Sequence, residues 1–316
     1  MRLWLFAFLS LFTGAVFSQS YPAKAIRLIV PFPPGGSNDI VGRMVGMQLG
    51  ERLGQSVVID NRGGAGGTIG TDMAAKAAPD GYTLLLISVA HAFNPAMYRK
   101  LPYDPEKAFA PIGMVAAGPV ALMVHPSLPA QTVKELIALV KASPGKLNYA
   151  TAGVGSFQHL ASELFKLQAG LDMVHIPYKG GGPAMMDTIA GQAQINMASL
   201  IQVIPHAKSG KLRLLATSGT RRSSLFPEVP TVAETVPGYD ATNWWGLVAP
   251  AGTPSQVIAK LHAELETLLK SDETRKRLES EGADIIRMTP AEFGRFIADE
   301  TQKWAKVVKQ AGITAE

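Results

Sequence analysis

Two short segments carry the residue types that could hold an anion: Pro33-Pro34-Gly35-Gly36-Ser37-Asn38-Asp39 and Thr151-Ala152-Gly153-Val154-Gly155-Ser156. In each, a short apolar run ends at glycines and a small polar residue opens a helix-like stretch. Such a turn leaves backbone N–H groups unpaired, and the helix dipole behind them favours negative charge. Phe32, Gly36, Ser37, Asn38 and Asp39 are the candidate ligands of the first cradle, and Thr151, Gly155 and Ser156 those of the second. One cradle alone is ordinary α/β punctuation. Two, far apart in the chain, predict two lobes that each offer one N–H nest to a ligand between them.

A third glycine turn, Pro177-Tyr178-Lys179-Gly180-Gly181-Gly182-Pro183, holds Lys179, the only cation sitting directly in one of these turns. It is placed either to neutralise a carboxylate or to point into solvent. Ser88 and His91 fall at the end of an apolar strand, where parallel α/β sheets bind ligands, and both are candidate contacts.

Covalent chemistry finds no support. There is no cysteine, the six histidines are dispersed, and no GxSxG nucleophile elbow occurs, so neither an enzyme, a metal nor a cofactor is expected. His159 follows Ser156 by one helical turn without an obvious carboxylate partner. The loop Asn61-Arg62-Gly63-Gly64-Ala65-Gly66-Gly67-Thr68 fails the dinucleotide spacing, because the third glycine counted from Gly64 would fall on Ile69, and no phosphate-binding lysine follows. It is a cleft wall or a structural turn.

The elements that must position these residues read as alternating strands and helices. Ile26–Val30, Val57–Asp60 and Thr83–Ser88 are strand-like, with helices expected from near Asp39, capped by Ser37 or Asn38, and over Ile69–Ala77. Ile112–Val124 reads as an extended segment interrupted at Gly118-Pro119, a natural crossing between lobes. The second half repeats the rhythm, with strands over Leu147–Thr151, Met173–Ile176, Gln194–Ser199 and Leu212–Thr217. Its helices run from a Thr132–Glu135 capping box to Ala142, over Phe157–Gln168 with Leu160, Leu164, Phe165 and Leu167 inward, and over Ala184–Ala190. Ala241–Val248 reads as the return crossing, and Thr253-Pro254 and Thr289-Pro290 open terminal helices as capping signatures.

The chain has 316 residues and a net charge of +5. The charge is not concentrated: Lys208–Arg213 and Arg221-Arg222 read as solvated loop faces, and nucleic acid is set aside. Residues 1–20 combine Arg2, an apolar run from Leu3 to Phe17 and small residues at Ser18 and Ser20, the pattern of a signal peptide cleaved after one of those serines. Export to the periplasm is expected.

The motifs VPFPPGGSNDI (30–40), NRGGAGGTIGT (61–71), PDGYTLLL (79–86), NPAMYRKLPYDP (94–105), GKLNYATAGVGSFQHLASELF (145–165) and VHIPYKGGGPAM (174–185), with the stretch from Trp245 to Gly252, resemble those of the Bug, or TctC-type, receptors. These are the extracytoplasmic solute-binding proteins of tripartite tricarboxylate transporters. The resemblance implies an α/β, two-lobed type II periplasmic-binding (Venus flytrap) fold, each lobe a mainly parallel sheet flanked by helices. It assigns 21–118 and 246–316 to lobe I and 119–245 to lobe II, with crossings near 117–120 and 243–246. It further implies a monomer that binds a small carboxylate without chemistry and presents its closed form to the transporter's membrane subunits, or alternatively to a sensor kinase. By position it brings Phe32, Gly36, Ser37, Asp39, Thr151, Gly155 and Ser156 onto carboxylate oxygens, with Ser88, His91, Tyr178 and Lys179 near the cleft. A carboxylate at Asp39 would repel a bound anion unless it caps its helix or holds a bridging water, and capping is the expected role. In the family an acidic residue is usual where this chain has Ala198, beside Ser199. The change implies a roomier or more apolar pocket, fit for an aromatic or longer-chain acid.

Overall fold

The computed structural model describes residues 21–314 except 220, 221, 224 and 281. The signal-peptide reading and Arg221 lie outside the described residues.

Aliphatic and β-branched runs form the strands β1 (Ile26–Val30), β2 (Val57–Asn61) and β3 (Thr83–Ser88), which lie parallel, β1 between the other two. The helices α1 (Ser37–Leu53), α2 (Thr68–Ala75) and α3 (Val89–Met97) follow them in turn. A long strand, β4 (Phe109–Val124), leads through α4 (Val133–Ala142) to β5 (Asn148–Thr151), α5 (Phe157–Ala169), β6 (Val174–Pro177), α6 (Gly181–Ile189), β7 (Ile195–Ser199), α7 (Leu200–Lys208) and β8 (Arg213–Thr217). Return strand β9 (Thr242–Pro250) is followed by α8 (Ser255–Lys270), α9 (Asp272–Ser280), the two-residue β10 (Asp284–Ile285) and α10 (Pro290–Ala311).

The sheet runs β2-β1-β3-β9-β4-β7-β5-β6, with β10 and β8 also on β4. Parallel strands form its two flanks. Antiparallel β9 and β4 form its middle, so each lobe is a mixed sheet whose βα units point their strand ends inward. β4 is not interrupted at Gly118-Pro119: Gly118 and Pro119 pair with Asn243 and Thr242 of β9, while Val120 pairs with Ser199 of β7. One strand therefore reaches both flanks of the sheet, which joins them without a flexible linker at that point.

Local sequence signals decide most boundaries. The Thr132 and Thr289 side chains accept the N–H groups of Glu135 and Glu292; the capping box is complete at Thr289, whereas the Glu135 carboxylate takes the Gln131 N–H in place of that of Thr132. Thr253 does not cap, because its hydroxyl donates to the Pro250 carbonyl at 2.7 Å, and α8 starts from Pro254. Leu167 is exposed rather than inward. Arg213 is no solvated loop cation: it lies on β8 and donates to the carbonyls of Pro126, Leu128 and Ala130 at 2.9–3.2 Å. Glu300 of α10 is buried and accepts both the Trp244 and Trp304 indole N–H groups at 3.0 Å. Trp304 in turn meets Phe157, the first residue of α5, edge to face at 5.5 Å, so the terminal helix α10 seats the helix of the second cradle.

Candidate functional site

The N-termini of α1, α3, α5, α6 and α7 open onto one cavity of about 40 Å³, through Gly36 and Ser37, Ser88 and Ala90, Ser156 and Phe157, Gly181, and Ser199 and Gln202 respectively. Two of these helices belong to the β1–β3 half and three to the β5–β8 half. Each contributes unpaired first-turn N–H groups and a partial positive charge. Four side-chain amides, Asn38, Gln158, Gln202 and Asn243, complete the wall, and no lining residue is charged. Two amides are anchored, Gln202 donating to the Gly181 carbonyl at 2.8 Å and Asn243 to Ser199 Oγ at 2.9 Å. The amide oxygens of Asn38 and Gln158 are buried without a protein partner. The positive ends of five helix dipoles at one cavity suit an anion with its charge spread over two oxygens.

A second space of about 910 Å³ adjoins the cavity at Phe32 and Ala152. Its walls are Pro33, Pro34 and the glycine loop 63–67 on one side, and Gly153, Val154 and Pro177 to Lys179 on the other. The glycine loop is thus a cleft wall. Below this space the two halves touch glycine to glycine. A Cβ on Gly180 would lie 2.9 Å from the Pro33 ring, and one on Gly182 would lie 3.0 Å from the Pro34 carbonyl oxygen. The two turns meet closely, and contact at this distance depends on the missing side chains.

Of the residues singled out in the sequence, Phe32, Gly36, Ser37, Asn38, Ser88, Ser156 and Ser199 are brought together around the cavity. The rest sit elsewhere, each for a visible reason. Neither Ser37 nor Asn38 caps α1, whose N-cap is Gly36. Asp39 is spent on structure: it accepts the Gly35 N–H, Arg43 Nε and Asn61 Nδ2, each at 3.0 Å. Burial alone would raise its pKa, but these hydrogen bonds outweigh burial and hold it below the usual carboxylate value. Asp39 thus ties the first cradle to β2 instead of touching the ligand space, and it braces the turn before α1 much as the third residue of a capping box does.

His91 is buried against Tyr103 and Phe109, away from the cavity, and burial pushes its pKa down to about 4. Thr151 turns its hydroxyl to His175 Nε2 at 2.6 Å and to the Gly153 N–H. The Gly155 N–H donates to His159 Nδ1 at 3.4 Å. Tyr178 and Lys179 line the outer space, where Lys179 is exposed. Ala198 packs on the helix-covered side of β7 with Ala121, Leu200 and Val203, so the inference drawn from its lack of charge loses its premise.

Sequence reasoning missed Ala90, Ala152, Phe157, Gln158, Gly181, Gln202 and Asn243. The signal for three of them was present, since Gln158, Gly181 and Gln202 are first-turn residues of helices that follow strands. Asn243 became a wall residue only because β9 returns beside Ser199.

Residues 41–313 match the family model described as tripartite tricarboxylate transporter family receptor (TctC). Protein BugT of Bordetella pertussis (strain Tohama I) is 41% identical over 300 residues, which cover 94% of this chain and 92% of that protein. Among solved structures, an R. palustris protein with adipate has a TM-score of 0.91 at 35% identity, covering 93% of this chain and 99% of that one. MatC from Rhodopseudomonas palustris with bound malate has a TM-score of 0.87 at 32% identity, covering 91% and 100%. The family is one of solute-binding receptors, not of enzymes. With the family match spanning most of its length, the chain belongs to the tripartite tricarboxylate transporter receptors of the TctC, or Bug, family.

Proposed function

We propose that the protein captures an organic acid by seating one carboxylate in the small cavity and directing the rest of the molecule past Phe32 into the outer space. The observation that carries this reading is the convergence of five helix N-termini, drawn from both halves, on a cavity with no charged lining residue. A volume of about 40 Å³ admits roughly three water-sized groups, enough for a carboxylate and its first carbon. An acid of four or more carbons must therefore extend outward, along walls of Phe32, Pro33, Pro34 and Tyr98. Relatives solved with adipate and with malate support this size class.

The mechanism is binding without bond making. Burying the acid between the halves removes water from each N–H to carboxylate hydrogen bond, a charge-assisted contact worth about 1.5–3 kcal/mol. The closed form then presents one composite surface to the transporter's membrane subunits. We place the lobes on either side of the point where β4 changes partners, 21–118 with the C-terminal helices against 119 to about 241, with Thr242 and Asn243 at the return crossing. Residues 1–20 act as the cleaved leader that delivers the protein to the periplasm, which N-terminal sequencing of the exported protein would check.

A thermal-shift screen of mono-, di- and aromatic carboxylic acids, followed by calorimetry, tests the assignment. An acid present at about a hundred times its Kd should stabilise the protein by about 2.7 kcal/mol. Stabilisation by uncharged sugars or by amines, with none by any acid, would refute it.

A further inference from the structure

Behind the second cradle lies a largely buried cluster of titratable groups, with Tyr149 and His159 buried and His175, Glu163 and Lys166 half-buried, that the capture mechanism leaves unused. The rings of Tyr149, His175 and His159 stack in that order, with centroids 5.0 and 4.1 Å apart and interplanar angles of 15° and 8°. None of them lines the cavity, yet both imidazoles hold the turn that does. His175 Nε2 meets the Thr151 hydroxyl at 2.6 Å, and that oxygen also accepts the Gly153 N–H at 3.2 Å. His159 Nδ1 accepts the Gly155 N–H at 3.4 Å, and the His159 N–H caps back onto Ser156 Oγ at 3.3 Å.

The Gly155 bond requires a lone pair on Nδ1, so it exists only while His159 is neutral. The groups facing the pair are Glu163 and Lys166 on α5 and Tyr149 on β5. Tyr149 donates to Glu163, Lys166 pairs with Glu163 at 2.7 Å, and Lys166 sits 5.3 Å from the Tyr149 ring centre. The one carboxylate is thus already engaged by a cation and a phenol, and two charged imidazoles at 4.1 Å would repel each other. Burial first, then the neighbouring His159, pushes the His175 pKa down to about 4, and burial likewise lowers that of His159.

We infer that His159 and His175 are positioning residues for the anion site: as a neutral stacked pair they set the 151–156 turn in its binding shape, and protonating either one releases it. The inference rests on the reading that this turn is one half of the carboxylate site. Acid capture should therefore weaken in acidic medium more steeply than the titration of a dicarboxylate itself accounts for.

The test compares the full chain with His159→Leu, which keeps bulk and loses the acceptor, and His159→Asn, whose Oδ1 can take the place of Nδ1. Amide exchange over 151–156 is the deciding measurement. Loss of one buried hydrogen bond should speed exchange there about tenfold in the leucine variant and leave β7 protected, and the asparagine variant should restore most of the protection. In the wild-type chain, loss of that protection on acidification should follow the His159 and His175 C2–H resonances in an NMR titration. Should the leucine variant fail to fold, the asparagine variant and this wild-type titration still decide. Exchange in the leucine variant equal to wild type, asparagine as loose as leucine, or protection that ignores the histidine resonances would each overturn the inference. Calorimetry with adipate and malate on the same proteins judges the site separately: if neither acid binds the wild type, the carboxylate reading is what fails, while exchange still rules on the histidine pair.

Discussion

Gly182→Ala should weaken acid binding without harming either half of the molecule. Gly182 is the second residue of α6, and its φ is not in the left-handed region, so alanine fits the helix and favours it by up to about 0.5–1 kcal/mol. Its new methyl, however, would stand 3.0 Å from the Pro34 carbonyl oxygen and 3.6 Å from Gly35, both in the other half. Those partners are backbone and cannot swing aside as a flexible side chain would. Overpacking of this kind costs about 1–3 kcal/mol, and a contact that needs a few tenths of an ångström of relief belongs at the lower end. The cost falls only on the closed form, so the open and closed equilibrium shifts by about 1–2 kcal/mol and the apparent Kd rises about 5- to 30-fold. Calorimetry with the strongest acid from the screen would measure that loss. Thermal unfolding of the ligand-free variant should stay level or rise, and its radius of gyration by small-angle scattering should match or exceed that of the wild type. An affinity within twofold of wild type would mean that the 33–36 and 180–182 turns do not meet in the bound form, and the closure argument would fall.

If the Gln158 Nε2–H donates to the acid, Gln158→Ala should cost about tenfold in affinity with little change in melting temperature, because the Gln158 amide oxygen has no protein partner to lose; calorimetry beside thermal unfolding separates the two. Glu300→Leu strands two buried indole N–H groups and should destabilise the protein by about 2–5 kcal/mol in urea unfolding, with Glu300→Gln recovering part of the loss. The buried His91 is neutral in the folded state, and its pKa is pushed from 6.5 down to about 4. Its contribution is therefore complete above pH 6.5 and is lost as pH falls towards 4, on the order of 3 kcal/mol in all. Chemical denaturation at a series of pH values should show unfolding taking up a proton in that window, and the uptake should shrink in His91→Phe.

What the sequence made legible was whatever depends on neighbours along the chain. The turns at Gly35-Gly36 and Gly153–Gly155, the Ser156 cap and the Thr289 capping box are local matters, and each falls where the residue types require. β3 keeps its expected bounds, Thr83–Ser88, for the same reason. What failed depends on partners brought from afar. Asp39 looked like a threat to a bound anion because Arg43 and Asn61 could not be seen beside it. Gly118-Pro119 looked like a break, yet these residues continue β4 because β9 supplies Thr242 and Asn243 opposite them. The histidines are dispersed in sequence, but β5, β6 and α5 stack two of them at 4.1 Å. Ala198 carried a specificity argument that only the side of the strand it faces could settle, and strand periodicity gives the alternation without saying which side is wet.

The choice of neutral groups for the cavity has its own logic. A buried lysine or arginine would strengthen the hold on a carboxylate, but without the acid it would be an unpaired charge in a site of about 40 Å³, with room for only a few waters around it. Helix N-termini avoid that cost: their N–H groups are fixed by the fold, carry only partial charge, and need no counterion when the ligand leaves. A receptor must also release what it binds. In the capture mode proposed above, dipoles from each half would hold the acid, so opening the cleft would remove part of the set at once, leave the rest facing water and lower affinity in the same motion that exposes the ligand. Lys179, the cation in the third turn, is exposed in the outer space, where it can draw an acid inward without binding it too firmly to be handed on.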